Sequence, residues 1–375
     1  MLTGSHFFLR GYHCFTATFQ HAFLLCLVTF APGCTGPVVI DQPLKDLHII
    51  DWHVHVAGLG YGGSGAFINR TLRENFRFYF FMKWMDVTEE ELKEKGDALV
   101  IKRLNEKLKR SRYVDQGVVL AMDGVVDPGT GQLDRDKTQL YVPNDFIARE
   151  TARYPTLLFG ASINPWRRDA IERLEGAAAQ GAVLVKWIPS IMYIDPADER
   201  LIPFYKKMVE LDMPLLTHTG KEKSFPTARD ELSDPLKLEL PLSLGVTVIA
   251  AHIATTGKSG GQDNFERILP MFDDHANLYT DISSLTQINK FGYLAEALRV
   301  PGLTDHMIYG TDWPLQYFPL VSPWYHVFHI GLLDAWRVSR IENEWDRDIK
   351  LKEAFGVPRE VFSRSATVLR SGILR

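Results

Sequence analysis

Cysteine is nearly absent from this chain, and the little there is sits at one end. The three cysteines, Cys14, Cys26 and Cys34, all fall before residue 35 of 375. The rest of the chain has no thiol for a disulfide, a thiolate zinc site or a nucleophile. Any metal site there must use His, Asp, Glu or a modified Lys. An excess of one charge is also missing: 42 Lys and Arg against 46 Asp and Glu leave a net charge of −4. That excludes the electrostatic footprint of a nucleic-acid binder. There is no GxSxG elbow for serine-hydrolase chemistry and no internal repeat at solenoid periods. After the N-terminus no apolar run is long enough to cross a membrane.

The N-terminal segment differs in kind. Arg10 is its only formal charge before Asp41, and it precedes the run AFLLCLVTFAPGC. A basic start, a short apolar stretch and small residues near a cleavage point read as a secretory signal. Ala31-Pro32-Gly33-Cys34 resembles a bacterial lipoprotein box with a lipid anchor at Cys34, although Pro32 departs from that pattern. The expectation is a signal or lipoprotein-like segment over 1–34, a domain over 35–375, and export to the cell envelope or periplasm. A mis-assigned start codon would instead leave the protein cytoplasmic.

What is present is a series of short apolar runs. They are LHIIDWHVHV, QGVVLAMDGV, TLLFGASINP, GAVLVKWIP, MPLLTHTG, GVTVIAAHIA, NLYTDISSL and MIYGTDWP. Each is rich in Val, Ile and Leu and almost continuously apolar, as parallel strands covered on both faces must be. Helical spacing appears between them: Ile171, Leu174 and Ala178 over 170–180, and Phe204, Met208 and Leu211 over 201–211. Val142-Pro143-Asn144-Asp145 opens another helix. Eight strands alternating with helices predict a (β/α)8 TIM barrel. An open doubly wound sheet is the alternative, but no GxGxxG follows the first strand to support it.

One connection is out of proportion. Residues 57–115 form a long insertion after the first strand, containing GLGYGGSG, the aromatic run NFRFYFFMKWM and the charged EEELKEKGDALVIKRLNEKLKR. At a barrel mouth such a segment reads as a lid or substrate wall, or as the face of a homo-oligomer.

Asp51-Trp52-His53-Val54-His55-Val56 carries the first chemical signal. Strand alternation sends Asp51, His53 and His55 to one face and Trp52, Val54 and Val56 to the other. Two imidazoles about 7 Å apart on one face can grip one cation, or can be two hydrogen-bonded core residues. Barrel enzymes keep their active sites at strand C-termini. There the chain places His53 and His55, Lys186, His218, His252 and Asp312. Four histidines and an acid on one rim are poorly explained by packing and point to a metal site.

DWHVHV, LLTHTG, IAAHIA and YGTDWP, in that order, resemble the amidohydrolase superfamily, in particular its aminocarboxymuconate-semialdehyde decarboxylase-like branch of metal-dependent hydrolases. The likeness covers roughly residues 47–370. It implies His53, His55, His218 and Asp312 as ligands of one divalent metal, with zinc best suited to such donors. It also implies catalytic roles for His252, Asp312 and Lys186. Asp312 would move a proton to and from an activated water, and His252 would stabilise charge developing on the substrate. Lys186 either binds a substrate carboxylate, or is carboxylated and bridges a second metal, or simply reaches the barrel rim. Asp51 reads as the group that orients a ligand histidine, or as an acceptor for backbone groups.

Gly257-Lys258-Ser259 mimics the tail of a phosphate loop. The leading glycine of that motif would fall at His252, so TTGKSGGQDN reads as a mobile loop instead. Near the end, Arg364-Ser365-Ala366 stands where the family has an Asn-Ala pair.

The expected activity is hydrolysis of a C–N or C–O bond in a small molecule by a metal-activated water. Non-oxidative decarboxylation uses the same ligands and is the alternative. A lipoprotein that only retains the metal is the non-enzyme reading.

Overall fold

The eight apolar runs all form strands, and every pairing between them is parallel. In the computed structural model, which describes residues 44–368, they are β1 (Ile50–His55), β2 (Gln116–Leu120), β3 (Leu157–Ala161) and β4 (Ala182–Trp187). Then follow β5 (Leu215–His218), β6 (Val248–Ala251), β7 (Leu278–Asp281) and β8 (Met307–Ile308). They lie side by side in chain order. The segment after β8 closes the ring onto β1: the His55 N–H donates to the Trp313 carbonyl at 2.8 Å, and the Trp313 N–H to that of His53 at 3.1 Å. A closed ring leaves no unpaired sheet edge. The leader and Cys34 lie outside the described residues.

Alternation along the strands divides the core in two. Ile50, Trp52, Val118, Leu120, Leu184 and Leu216 fill the barrel interior. Val54, Val119, Val185 and Leu215 face outward to helix residues such as Leu104, Leu174 and Met208. Each fully buried aliphatic side chain contributes about 1.5–3 kcal/mol. The helices predicted from spacing form over Ala170–Ala179 and Ile202–Glu210. The first stops where Gly181 takes a left-handed φ of +88°, a conformation that costs glycine least.

The insertion is not uniform. Its charged stretch breaks into two helices, Glu89–Lys95 and Ala98–Leu108, because Gly96 sits at φ +77° hard against Gly62. The second helix buries Val100, Ile101, Leu104 and Leu108 in the outer core and is the barrel helix of the first βα unit. The part before it, including the aromatic helix Phe76–Trp84, reaches the mouth.

Two local expectations are corrected. The GKSGG segment forms a short ribbon in which Lys258–Ser259 pairs antiparallel with Gln262–Asp263. Asp263 then caps the helix Asn264–Asp274 by accepting from the Phe265 N–H. Simple alternation also fails in β1. Ile50 and Asp51 pair with Gln116 and Gly117, whereas Val54 and His55 pair with Val119 and Leu120, so β1 takes three steps where β2 takes two. This bulge lets Trp52 join the interior cluster and still leaves His53 and His55 facing inward.

Asp51 consequently turns to the outer layer. Its Oδ1 accepts from the N–H groups of His53 and Thr311, and its Oδ2 from the Thr311 hydroxyl and the Trp345 indole N–H. It orients no imidazole, which corrects that reading and leaves the backbone-acceptor one. Burial raises its carboxyl from 3.8 to about 6. The native state therefore holds this proton more tightly than the unfolded chain, and its stabilising contribution is lost as pH rises through about 6. Asp51→Asn would turn an amide N–H toward one of four donors. We expect it to lower unfolding free energy by about 3 kcal/mol at neutral pH and to flatten that acid-side dependence, as urea titrations at several pH values would show.

At the barrel bottom lies Ser365, in the helix Arg359–Thr367. Its hydroxyl accepts from the Ile50 N–H, and its carbonyl accepts from the Trp52 indole at 2.6 Å. The C-terminal helix thus plugs the end opposite the histidines.

Candidate metal centre

The bulged end of β1 aims two imidazole nitrogens at one point. His53 Nε2 and His55 Nε2 lie 3.0 Å apart, and Asp312 Oδ1 is 3.6 Å from each. Donor atoms around a single zinc ion, each about 2.0–2.1 Å from it, stand at about this mutual spacing. His252 belongs to the same knot: ligand atoms of His53, His252 and Asp312 all lie within 4.8 Å of one another. Its ring stacks on His53 at 5.2 Å.

Hydrogen bonds around the rings determine which nitrogens are bare. His53 Nδ1–H donates to Asp281 Oδ2 at 2.7 Å, so Nε2 carries the lone pair. Lys186 Nζ donates to that same Nε2 at 3.0 Å. Ser283 gives its hydroxyl proton to Asp281 Oδ1, which leaves its oxygens to accept from His252 Nδ1–H at 2.7 and 3.1 Å. His252 Nε2 therefore also presents a lone pair, 4.0 Å from Asp312 Oδ2. In this tautomer His252 is a proton acceptor or ligand, and it donates only after taking up a proton.

Burial keeps these rings neutral. It pushes His53, His55 and His252 well below the usual imidazole range and His218 down to about 4. It raises the Asp312 carboxyl to about 7 and lowers the Lys186 and Lys290 amines to about 8. Neutral imidazoles and a carboxylate are the forms that ligate a cation.

Three residues of the site hold left-handed backbone: His252 at φ +61°, Ser284 at +58° and Asp312 at +64°. Each costs about 1–3 kcal/mol in a non-glycine residue and persists only where the surroundings over-determine it. Ser284 shows how: its hydroxyl donates to Asp312 Oδ2 at 2.5 Å and leaves Oδ1 facing the histidine pair. Gly310 allows the close approach of β8, since a Cβ there would lie 3.2 Å from His53 Cβ and 3.3 Å from Asp281 Cβ.

Of the six residues read from sequence, His53, His55, Asp312, Lys186 and His252 come together. His218 stands beside His252, with ring centroids 5.4 Å apart, and lines the same cavity. Its buried Nε2 has no hydrogen-bond partner, the nearest acid being Glu222 Oε2 at 3.5 Å. An unsatisfied buried nitrogen beside converging lone pairs fits a fourth donor to a cation. The donor set as a whole, imidazole and carboxylate without thiolate, suits zinc.

The residues missed are Asp281, Ser283, Ser284 and Lys290. Asp281 ends β7, so the strand-end rule that found the others would have found it in NLYTDISSL. Lys290 lies in the loop beyond β7, where no spacing marks it.

The cavity over this centre has two characters. Its polar lining is the histidines, Lys186, Lys290 and Asp312, with Lys221, Glu222 and Lys223. Its apolar lining comes largely from the insertion: Ile68, Leu72, Phe78, Phe81 and Met85.

A family model described as amidohydrolase matches residues 50–336. No curated protein sequence matches the chain. Among solved structures, an uncharacterised TIM-barrel protein from Bordetella bronchiseptica is 17% identical, with 86% of this chain and 99% of that one covered and a TM-score of 0.52. A probable 2-pyrone-4,6-dicarboxylic acid hydrolase from Acinetobacter baumannii is 15% identical over 83% and 100%, with a TM-score of 0.49. 5-Carboxyvanillate decarboxylase from Sphingomonas paucimobilis is 13% identical over 84% and 99%, with a TM-score of 0.41. The first of these, at 17% identity, is a likeness of fold.

Proposed function

The chain belongs to the amidohydrolase family, and from that premise we propose that it is a metal-dependent hydrolase acting on a C–N or C–O bond of a small organic molecule. The observation that carries this reading is the convergence of His53 Nε2, His55 Nε2 and Asp312 Oδ1 within 3.0–3.6 Å, with the first lone pair set on Nε2 by the Asp281 bond. These three, with His218 as fourth donor, would hold one divalent cation, zinc by donor type. When bound, the cation supplies Lewis acidity and a nucleophile at neutral pH.

The protein groups divide the remaining work. Asp312, its carboxylate oriented by the Ser284 bond, can accept a proton and return it to a leaving group. His252 holds a lone pair at Nε2 over the same point and takes up a second proton. Lys186, whose amine would give up His53 Nε2 to the cation, would turn to stabilise an oxyanion. The apolar wall excludes water from the side facing the insertion.

One observation favours non-oxidative decarboxylation as a second reading: two buried amines, Lys186 and Lys290, face one cavity and favour a carboxylate substrate.

Elemental analysis of the purified protein and of a His53→Ala/His55→Ala variant, with turnover on an ester, lactone, amide and carboxylic acid panel, tests the proposal. We expect one divalent ion per chain, absent from the variant together with turnover. Carbon dioxide release from acids alone would establish the second reading. Full activity in the metal-free variant, or a zinc-loaded protein inert on every compound, would sink the enzyme proposal.

A further inference from the structure

Three lysines are buried among the described residues: Lys186, Lys290 and Lys352. Two are partnered. Lys186 donates to His53, and Lys352 donates to the Gly310 carbonyl at 2.9 Å and to Asp348 Oδ2 at 2.7 Å. Lys290 is different. It is 7% exposed, yet among the described residues its ammonium makes no hydrogen bond and no ion pair within 4.0 Å. Its side chain lines the cavity above the metal centre, beside Ser284 and Gln287.

A buried ammonium with no partner is strongly unfavourable. The acids nearest to it are already engaged. Asp281 accepts from His53, His252 and Ser283, and Asp312 accepts from Ser284 and faces the histidine pair. Glu222 Oε1 accepts from the Ser224 N–H, and Oε2 faces His218. A cation bound between the histidines would occupy Asp312 further and add repulsion. These carboxylates attract the ammonium from a distance but none bonds to it, so a direct partner for its N–H donors is left to what enters the cavity. The same cavity is lined by Leu72, Phe78, Phe81 and Met85, an apolar wall with no polar group to satisfy.

We propose that Lys290 receives the carboxylate of an organic monoanion whose apolar body lies along the insertion wall, so that Lys290 and Phe81 set specificity at opposite ends of the substrate. This rests on the proposed function only for where the reacting bond sits, between the two ends and over the metal ligands. A single amine is a point charge, suited to one carboxylate and not to planar bidentate recognition.

The test is calorimetric titration of the metal-loaded full chain at neutral pH with 4-phenylbutanoate, its neutral amide and butanoate. The wild type is expected to bind 4-phenylbutanoate at least about tenfold more tightly than either of the others. Lys290→Met should lose about tenfold for both carboxylates while binding the amide unchanged, and Lys290→Arg should restore part of the loss. Phe81→Ala should weaken 4-phenylbutanoate and leave butanoate as it was. Without ligand, Lys290→Met should melt about 2 °C or more above the wild type, because it removes an unpaired buried charge.

Equal wild-type affinity for acid and amide, no binding of any probe, or undiminished carboxylate binding by Lys290→Met would overturn the proposal. So would a lower melting temperature for that variant. Chelator-stripped protein separates this from the metal reading. Carboxylate binding that survives stripping supports Lys290. Binding lost on stripping but kept in Lys290→Met assigns the carboxylate to the cation, overturns this inference and leaves the metal centre standing.

Discussion

Replacing Asp312 by Asn is expected to cut turnover by about a thousandfold on whichever panel compound the wild type converts. The residue joins a fixed position to a charge that an amide lacks. Its Oδ1 stands 3.6 Å from both β1 imidazoles, its Oδ2 is held by the Ser284 hydroxyl at 2.5 Å, and burial raises its carboxyl to about 7. A carboxylate can accept and return a proton within one turnover, and an amide cannot. Asn is nearly isosteric and keeps an oxygen for Ser284, so the fold should survive and the loss should lie in kcat. Steady-state kinetics beside a thermal melt would separate the two. Unchanged kcat in a folded, metal-loaded variant would remove Asp312 from the chemistry.

Asp281→Asn should have the second largest effect, and by a different route. Asp281 is fully buried and never faces the cavity, yet it determines which His53 nitrogen carries the proton. An Asn amide turned toward His53 Nδ1 would donate to it, forcing the ring proton onto Nε2. That proton would occupy the lone pair aimed at His55, Asp312 and Lys186. Loss of such an orienting partner typically lowers metal affinity 10–100-fold. Competition with a chromogenic chelator should show it, with activity restored in part by excess zinc. Asp281→Ala would do more harm to stability, since it leaves the N–H groups of His252 and Ser283 and the Ser283 hydroxyl without their acceptor. Wild-type metal affinity in Asp281→Asn would show that the tautomer is set elsewhere.

How the site divides between readable and unreadable residues follows from range. His53, His55, Lys186, His218, His252 and Asp312 could be placed because each stands at or just past the end of a strand, and the strands announce themselves as apolar runs. Asp281 obeys the same rule and was missed only because an acid beside serines resembles an ordinary turn. The direction of Asp51 was beyond reach. One extra residue in β1 reverses its side, and no residue type marks a bulge when every neighbour is apolar. Lys290 was equally hidden, since its lack of a bonded partner depends on Asp312, Asp281 and Glu222 each being directed at other groups. The break at Gly96 could be seen as a glycine; that it separates a barrel helix from the mouth could not.

By itself the sequence determined a ring of eight parallel strands and the chemical types gathered at its rim, because both follow from local pattern and from the constant direction in which parallel strands end. Only the tertiary structure decided which imidazole nitrogens are bare, which carboxylate holds the histidine proton and which lysine is left without a partner. Those properties depend on contacts between residues as far apart as His53 and Asp281, and no short-range pattern encodes them.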